Sequence, residues 1–183
     1  MKITKETIKN IKKNDRKTIT DLYNQAFSAM MGMVIRYKKN EEDQKTIINN
    51  SFMKALEKID SFDLNKEFIP WMCQITRNEL IDSYRKEKNY GNFFDFESSN
   101  EGQEIETDSV HDIQVENEYL RNLLQSLPPA TNLVFNLYAL EGYSSKEICE
   151  ELNIGYETVK WHIKEARKRL RITLLKEKSS IKA

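Results

Sequence analysis

Lys160, Trp161, His162, Lys164, Arg167, Lys168 and Arg171 recur at spacings that put them on the outer face of one helix, with Val159, Ile163, Ala166 and Leu170 marking its inward side. Cationic side chains in that array bind phosphate by charge and read base edges by hydrogen bonding; they break no covalent bond. Just upstream, Ser144-Ser145-Lys146-Glu147 has the spacing of a capping box, and it opens a short helix, Ser145–Leu152, whose inward residues are Ile148, Cys149 and Leu152. Asn153-Ile154-Gly155 is a tight turn, with Gly155 expected to take the backbone shape that larger residues resist. Two short helices, a three-residue turn containing Gly and a basic outer face on the second helix specify a DNA-reading helix-turn-helix. Residues near the start of the second helix reach base edges first, so Tyr156, Glu157, Lys160 and Trp161 are the base-proximal candidates. His162, Lys164, Arg167, Lys168 and Arg171 are assigned to phosphates. For Trp161 two readings stand: stacking on sugars or touching a thymine methyl, and packing on the neighbouring helix.

Catalytic chemistry finds no comparable pattern. Of the two histidines, His111 falls in an acidic stretch and His162 on the basic helix, both expected as solvated surface side chains unless DNA engages the second. No paired His/Cys metal spacing, phosphate-binding Gly loop or nucleophile beside a base is present in the sequence, so no catalytic residue, cofactor or metal ligand is assigned. Cys73 and Cys149 lack a C-x-x-C partner and read as buried thiols of a reducing compartment rather than a disulfide. The N-terminal stretch MKITKETIKNIKKND lacks the apolar run of a signal peptide, and nothing approaches the roughly 18 apolar residues of a membrane span. The expected location is the cytoplasm, with no membrane insertion.

The elements that must position these residues are helical. The chain has 183 residues, of which 39% are hydrophobic and 32% charged, with only five Gly and three Pro to interrupt helices. Net charge is zero but unevenly spread. Residues 1–90 carry 18 Lys/Arg against 13 Asp/Glu, residues 91–118 nine acids and no Lys or Arg, and residues 119–183 eleven against seven. Two basic blocks therefore flank an acidic strap, and a neutral total conceals two DNA-facing surfaces.

Helical periodicity predicts a first helix over about Asp15–Tyr37 and a second from the Asn40 cap to about Ile59, with Glu41, Glu42 and Asp43 in its first turn. Asp60–Asn65 reads as a loop. A third helix carries Trp71, Ile75, Asn78, Ile81 and Tyr84 to about Lys88, with Pro70 in or before its first turn. Three helices closing a small core make a first module, residues 1–88. Residues 89–111 read as an acidic linker with Phe93, Phe94 and Phe96 as its only anchors: a coiled tether, or a segment threaded into a partner's basic channel. Residues 112–183 form the second module, with helices over Asp112–Leu127, Ala130–Glu141 (closed by Gly142), Ser145–Leu152 and Tyr156 to Leu170 or slightly beyond. The fold class is all-α, two small helical domains on a flexible linker.

These stretches resemble the extracytoplasmic-function sigma factors of bacterial RNA polymerase. Leu127-Pro128-Pro129 followed by VFNLYALEGYSSKEICEELNIGYETVKWHIKEARKRL is similar to the family's region four, and IRYKKNEED, INNSFMKALEKIDSFD and FIPWMCQITRNELIDSYRK are similar to region two. The resemblance implies that the second module binds the promoter's −35 element and the first grips the polymerase clamp and opens the −10 element. Carried over by position, Glu41, Glu42, Asp43, Thr46, Asn49, Asn50 and Met53 would meet polymerase. Phe62, Asp63, Leu64 and Asn65 would hold a base flipped from the −10 element, and Arg77, Asn78, Asp82, Arg85 and Lys86 would meet the opened strand. Implied partners are core polymerase (clamp and flap), promoter DNA and, as is common in the family, an anti-sigma protein.

Four departures from the family pattern, at six positions, stand out. Thr46 and Asn49 stand where acidic and Gln residues are usual, Gly155 where a Ser cap is usual, Trp161-His162 where a small residue and Arg are usual, and Glu165 where Arg is common. A competing reading is a polymerase-independent helix-turn-helix regulator whose N-terminal bundle senses a ligand or dimerises; the YRK-ending third helix and the acidic strap fit it poorly.

Overall fold

The computed structural model describes residues 2–89 and 113–180, with α1 Lys5–Lys12, α2 Arg16–Val34, α3 Glu41–Glu57, a 3-10 turn at Ile59–Ser61, α4 Phe68–Asn89, α5 Ile113–Gln125, α6 Pro129–Ala139, α7 Ser145–Leu152 and α8 Tyr156–Ser180. The expected acidic linker, with Phe93, Phe94, Phe96 and His111, lies outside the described residues. Backbone contacts divide the chain into two units, Met1–Ser83 and Tyr84–Ala183. The cut falls within α4, whereas the sequence places the end of the first module at residue 88.

The first unit corrects the three-helix expectation, because α1 precedes the others. Thr4 caps it, accepting from the Thr7 amide at 3.1 Å while the Thr7 hydroxyl accepts from the Thr4 amide at 3.2 Å. Ile3 and Ile8 sit where a hydrophobic staple places its pair, and Ile3 and Ile11 are buried. A helix of this length is marginal alone and forms because that apolar side joins a core. Asn14, at φ 55, turns the chain into α2, where the Asp15 carboxylate accepts from the Thr18 amide and hydroxyl at 2.9 and 2.6 Å. Those two bonds hold the Asp15 carboxyl below its usual range.

Leu22, Ala26, Met30, Ile48, Phe52, Ala55 and Met72 form the centre of this unit. Tyr23 packs edge-on against Phe52, with ring centroids 5.0 Å apart. Leu22, Met30, Ile48, Phe52 and Met72, once fully buried, each contribute about 1.5–3 kcal/mol, and the two alanines less. Trp71 is half-buried and packs against this core.

In the second unit, Leu124, Val134, Leu137, Ile148, Leu152, Val159 and Ala166 are buried at the meeting of α5, α6, α7 and α8. Pro129 occupies the first turn of α6, and Gly142 at φ 76 reverses the chain so that the Tyr143 amide donates to the Leu137 carbonyl at 2.9 Å. The capping box forms as expected: Ser144 Oγ accepts from the Glu147 amide at 3.3 Å and Glu147 Oε2 from the Ser144 amide at 2.8 Å. Two details differ from expectation. The left-handed residue of the α7–α8 turn is Asn153, at φ 48, whereas Gly155 needs no positive φ. Helix α8 runs well past Leu170, since no Gly or Pro follows Gly155 to stop it.

Gly155 is thus an ordinary N-cap that happens to lack a side chain, and a Cβ there would meet nothing closer than Thr158 Oγ1 at 3.7 Å. Gly155→Ser is expected to stabilise the chain by a few tenths of a kcal/mol. Slower amide hydrogen exchange in the first turn of α8 is the measurement; faster exchange would contradict the assignment.

Candidate nucleic-acid and polymerase interface

Three groups of side chains stand out on the surfaces of the two units, each placed by a buried seam on the opposite side of its helix. On α8 the seam is Val159, Ile163 and Ala166, all buried. Successive residues step by about 100°, so Glu157, Trp161, Lys164 and Lys168 lie opposite that seam, while Tyr156, Lys160, Arg167 and Arg171 flank one side. All eight are exposed.

Some of these cations are already oriented. Lys160 Nζ lies 4.6 Å from the Tyr156 ring centroid and 3.8 Å from Glu157 Oε1, and the Arg167 guanidinium sits 5.8 Å from the ring of Tyr138 on α6. Tyr138 escapes a sequence reading because it belongs to α6 and only the packing of α6 on α8 brings it there. Glu165, where the family favours Arg, accepts from Arg169 Nε at 2.7 Å.

His162 is a correction. It is half-buried rather than solvated, because its position flanks the buried seam, and its Nδ1 is hydrogen-bonded to Thr131 Oγ1 of α6 at 3.0 Å. Burial holds the imidazole below its ordinary value of 6.5, which favours a neutral ring at physiological pH and removes the charge expected for a phosphate contact.

On α3 the buried seam is Ile47, Ile48, Ser51, Phe52 and Ala55. Opposite it, Glu42, Thr46, Asn49 and Met53 align at helical spacing on one stripe, flanked by Glu41, Asp43 and Asn50, and all seven are exposed. Met53, at 56% exposure, is an apolar side chain left in water on an otherwise polar face. Asn40 Oδ1 caps the helix by accepting from the amides of Glu42 and Asp43 at 2.7 and 3.3 Å. Asn49 is tied back to α2 by the Tyr23 hydroxyl, which donates to its Oδ1 at 3.2 Å.

The third group comprises the 62–65 loop and α4. Phe62 has to be withdrawn from the expected pocket: its ring is buried, 5.1 Å from Trp71 and 6.2 Å from Phe68 between centroids, because it closes the core under the loop. Leu64 is half-buried against the same core. Asp63 and Asn65 remain exposed, linked to each other by Asp63 Oδ1, which accepts from the Asn65 amide at 2.9 Å and side chain at 3.1 Å. On α4, Arg77 donates to Gln74 Oε1 at 2.6 Å, and Gln74 donates to Asn78 Oδ1 at 3.3 Å, with Asn78 exposed. Arg85 is half-buried and Lys86 exposed, both beyond the division inside α4.

Lys54 had no place in the sequence reading, yet it joins α3 to this group. Its ammonium is 2.5 Å from Glu79 Oε2 and 3.1 Å from Asp82 Oδ2, and Asn50 adds a bond to Glu79 Oε1 at 3.1 Å. The Glu79 bond holds Lys54 above the usual lysine range despite partial burial, with Asp82 adding to the effect. Only tertiary packing brings positions 54, 79 and 82 together.

Comparison with known proteins gives a consistent result. Residues 22–90 match the family model for Sigma-70 region 2 and residues 117–170 that for Sigma-70, region 4. The chain is 30% identical over 179 residues to the ECF RNA polymerase sigma factor SigW of Bacillus subtilis, covering 91% of this chain and 94% of that one. It is 26% identical over 154 residues to the ECF RNA polymerase sigma factor SigM of the same organism, covering 84% and 93%. Among solved structures, the sigma factor RpoE in complex with the anti-sigma factor NepR from Bartonella quintana matches with a TM-score of 0.46 at 21% identity, covering 88% of this chain and 97% of that one.

The His162 geometry makes stability depend on pH. Above about pH 6.5 the ring is neutral in folded and unfolded chains alike, and its contribution is complete. As pH falls through 6.5 the unfolded chain takes up a proton first, so stability declines until the lowered folded value is passed. NMR titration of the two histidine rings is expected to show His162 protonating below 6.5. A value at or above 6.5 would contradict the buried placement.

Proposed function

The chain belongs to the extracytoplasmic-function sigma factors of RNA polymerase, and from that premise we propose how its surfaces divide the work of promoter recognition. As a sigma factor it is a non-enzymatic initiation factor: it directs polymerase to promoters, and polymerase does the chemistry. In this reading residues 1–88 act as region two, 89–111 as a linker, and 112–183 as region four. The working location is the cytoplasm, with core polymerase and promoter DNA. Among the described residues no helix is long and apolar enough to cross a membrane.

The observation that carries this division is the outward array on α8. Lys160, Lys164, Arg167, Lys168 and Arg171 are all exposed while the helix's opposite seam is locked into α6 and α7. A helix so held has one exposed basic side, and the major groove of the −35 element admits one helix. Tyr156, Glu157, Lys160 and Trp161 meet base edges, and Lys164, Arg167, Lys168 and Arg171 neutralise phosphates. His162, being half-buried, supports the helix from behind.

In region two, the stripe Glu42–Thr46–Asn49–Met53, with Glu41, Asp43 and Asn50 beside it, docks on the polymerase clamp. Its acidic end supplies charge complementarity, and Met53 supplies apolar area that docking removes from water. Asp63 and Asn65 contact a flipped base of the −10 element at its polar edge, while Phe62 and Leu64 hold the loop from below. Arg77, Asn78, Asp82, Arg85 and Lys86 line the path of the opened strand. Unstacking a base costs a few kcal/mol, so this contact forms only with polymerase holding both strands. An anti-sigma protein that covers these faces belongs to the same reading.

Lys160→Ala and Arg167→Ala are each expected to weaken promoter use by holoenzyme in vitro, and Arg167→Ala to lower the salt slope by about one phosphate's worth. The unmodified chain binds promoter duplex weakly alone and specifically with core polymerase. Unchanged transcription in both variants, or tight specific binding without polymerase, would overturn the assignment.

A further inference from the structure

Among the side chains of α8 assigned to base edges, Trp161 carries no charge with which to make its contact. Trp161 is 45% exposed at the centre of the helix's outward face, where a solvated cation would keep a surface helix more soluble. Its ring is nonetheless held. His162 meets it in a T-shaped contact, 4.9 Å between centroids and 76° between planes, and is in turn hydrogen-bonded to Thr131, which is 1% exposed on α6. Thr131, His162 and Trp161 thus run as a chain of contacts from the interior of the second unit to its DNA-facing surface.

We infer that Trp161 reads a thymine methyl group in the promoter element entered by α8, and that Thr131 and His162 position its ring for that contact; this rests on the assignment of α8 to the major groove. An indole offers one N–H donor and no acceptor, so it cannot make the paired hydrogen bonds by which Arg recognises guanine or Asn adenine. What it offers is a large apolar surface, and among unmodified bases only thymine shows an apolar group, its C5 methyl, in the major groove. Neighbours on the face leave that role open: Lys160 is drawn to Tyr156 and Glu157, and Lys164 and Lys168 follow Trp161 at i+3 and i+7 on the same stripe, placed for phosphates further along the helix. Trp161 and His162 then act as one pair. The second residue gives up a phosphate contact and becomes the support of the first.

The test uses holoenzyme assembled from the full chain and core polymerase. A −35 element selected from a randomised library is re-synthesised with each thymine, on either strand, replaced singly by dU, which lacks only the methyl. Single-round transcription is expected to fall about fourfold at one position, the worth of one buried methyl-sized group. Trp161→Ala, exposed and therefore expected to fold, uses T and dU equally there. Thr131→Val brings the T-to-dU ratio toward one without altering the salt slope, and Thr131→Ser restores it. Equal use of T and dU by the unmodified chain at every position, a selected element without any A·T pair, or a ratio that survives Trp161→Ala would overturn the proposal. A full ratio in Thr131→Val would remove its positioning half. Failure here stays separable from failure of the groove assignment, because loss of promoter use in Lys160→Ala and Arg167→Ala keeps α8 on the DNA whatever dU does.

Discussion

The corner between α7 and α8 governs what the second unit can do. Asn153 turns the chain there in the left-handed region, at φ 48 and ψ 55, and the Ile154 amide closes the turn on the Cys149 carbonyl at 3.2 Å. Asn tolerates that conformation better than most non-glycine residues. From the corner onward, Val159, Ile163 and Ala166 have to face α6 and α7, and every outward cation follows from that choice. A turn of different shape would rotate the seam away from its platform and turn the basic face with it. The platform is built with unusual polarity: on α6, Asn132 donates to the Leu124 carbonyl at 2.6 Å and Asn136 to the Asn132 carbonyl at 2.9 Å, both from buried side chains. Buried amides bonded in this way fix one arrangement of helices where an apolar surface would allow several.

A different device holds region two together. There α3, which we propose docks on polymerase, and α4, which we propose meets the opened strand, are cross-linked by Lys54, Asn50, Glu79 and Asp82. Glu79 has only 6% of its side chain exposed, and a carboxylate so placed is tolerated because Lys54 compensates it. The polar bridge ties Lys54 and Asn50 of α3 to Glu79 and Asp82 of α4 and so fixes how these two helices meet. Phe62, Phe68 and Trp71 do the same for the 62–65 loop from the apolar side.

Much of this was legible in the sequence where local rules apply. The capping box at Ser144–Glu147, Pro129 in the first turn of α6, the Asn40 cap and the amphipathic stripes of α2, α3, α6, α7 and α8 are short-range features, and the structure has them all. What escaped is of two kinds. Helix α1 is too short for periodicity to separate from a charged tail, and its signal lay in Thr4 with the Ile3–Ile8 spacing. The roles of His162, Lys54 and Tyr138 depend on partners far away in the chain, and that of Phe62 on how the loop folds back onto Phe68 and Trp71. An aromatic in a loop reads the same whether it rests in the core or faces a ligand, and a His beside a seam reads as exposed until the neighbouring helix supplies Thr131. The turn chemistry of Asn153 and Gly155 was assigned to the wrong residue because Gly is the usual choice for positive φ, although Asn is the next best.

Under the proposed division of work, one chain places two DNA-reading surfaces on two different promoter elements only when polymerase holds it. Tethered-iron cleavage tests this directly. In a chain with Cys73→Ser and Cys149→Ser, a single cysteine is introduced as Lys164→Cys or as Asn65→Cys and labelled with a chelated iron that cuts nearby DNA. Cuts are expected in the −35 region alone from position 164 and in the −10 region alone from position 65, both requiring core polymerase. Cuts from both positions in the same region, or the same pattern without polymerase, would contradict that division.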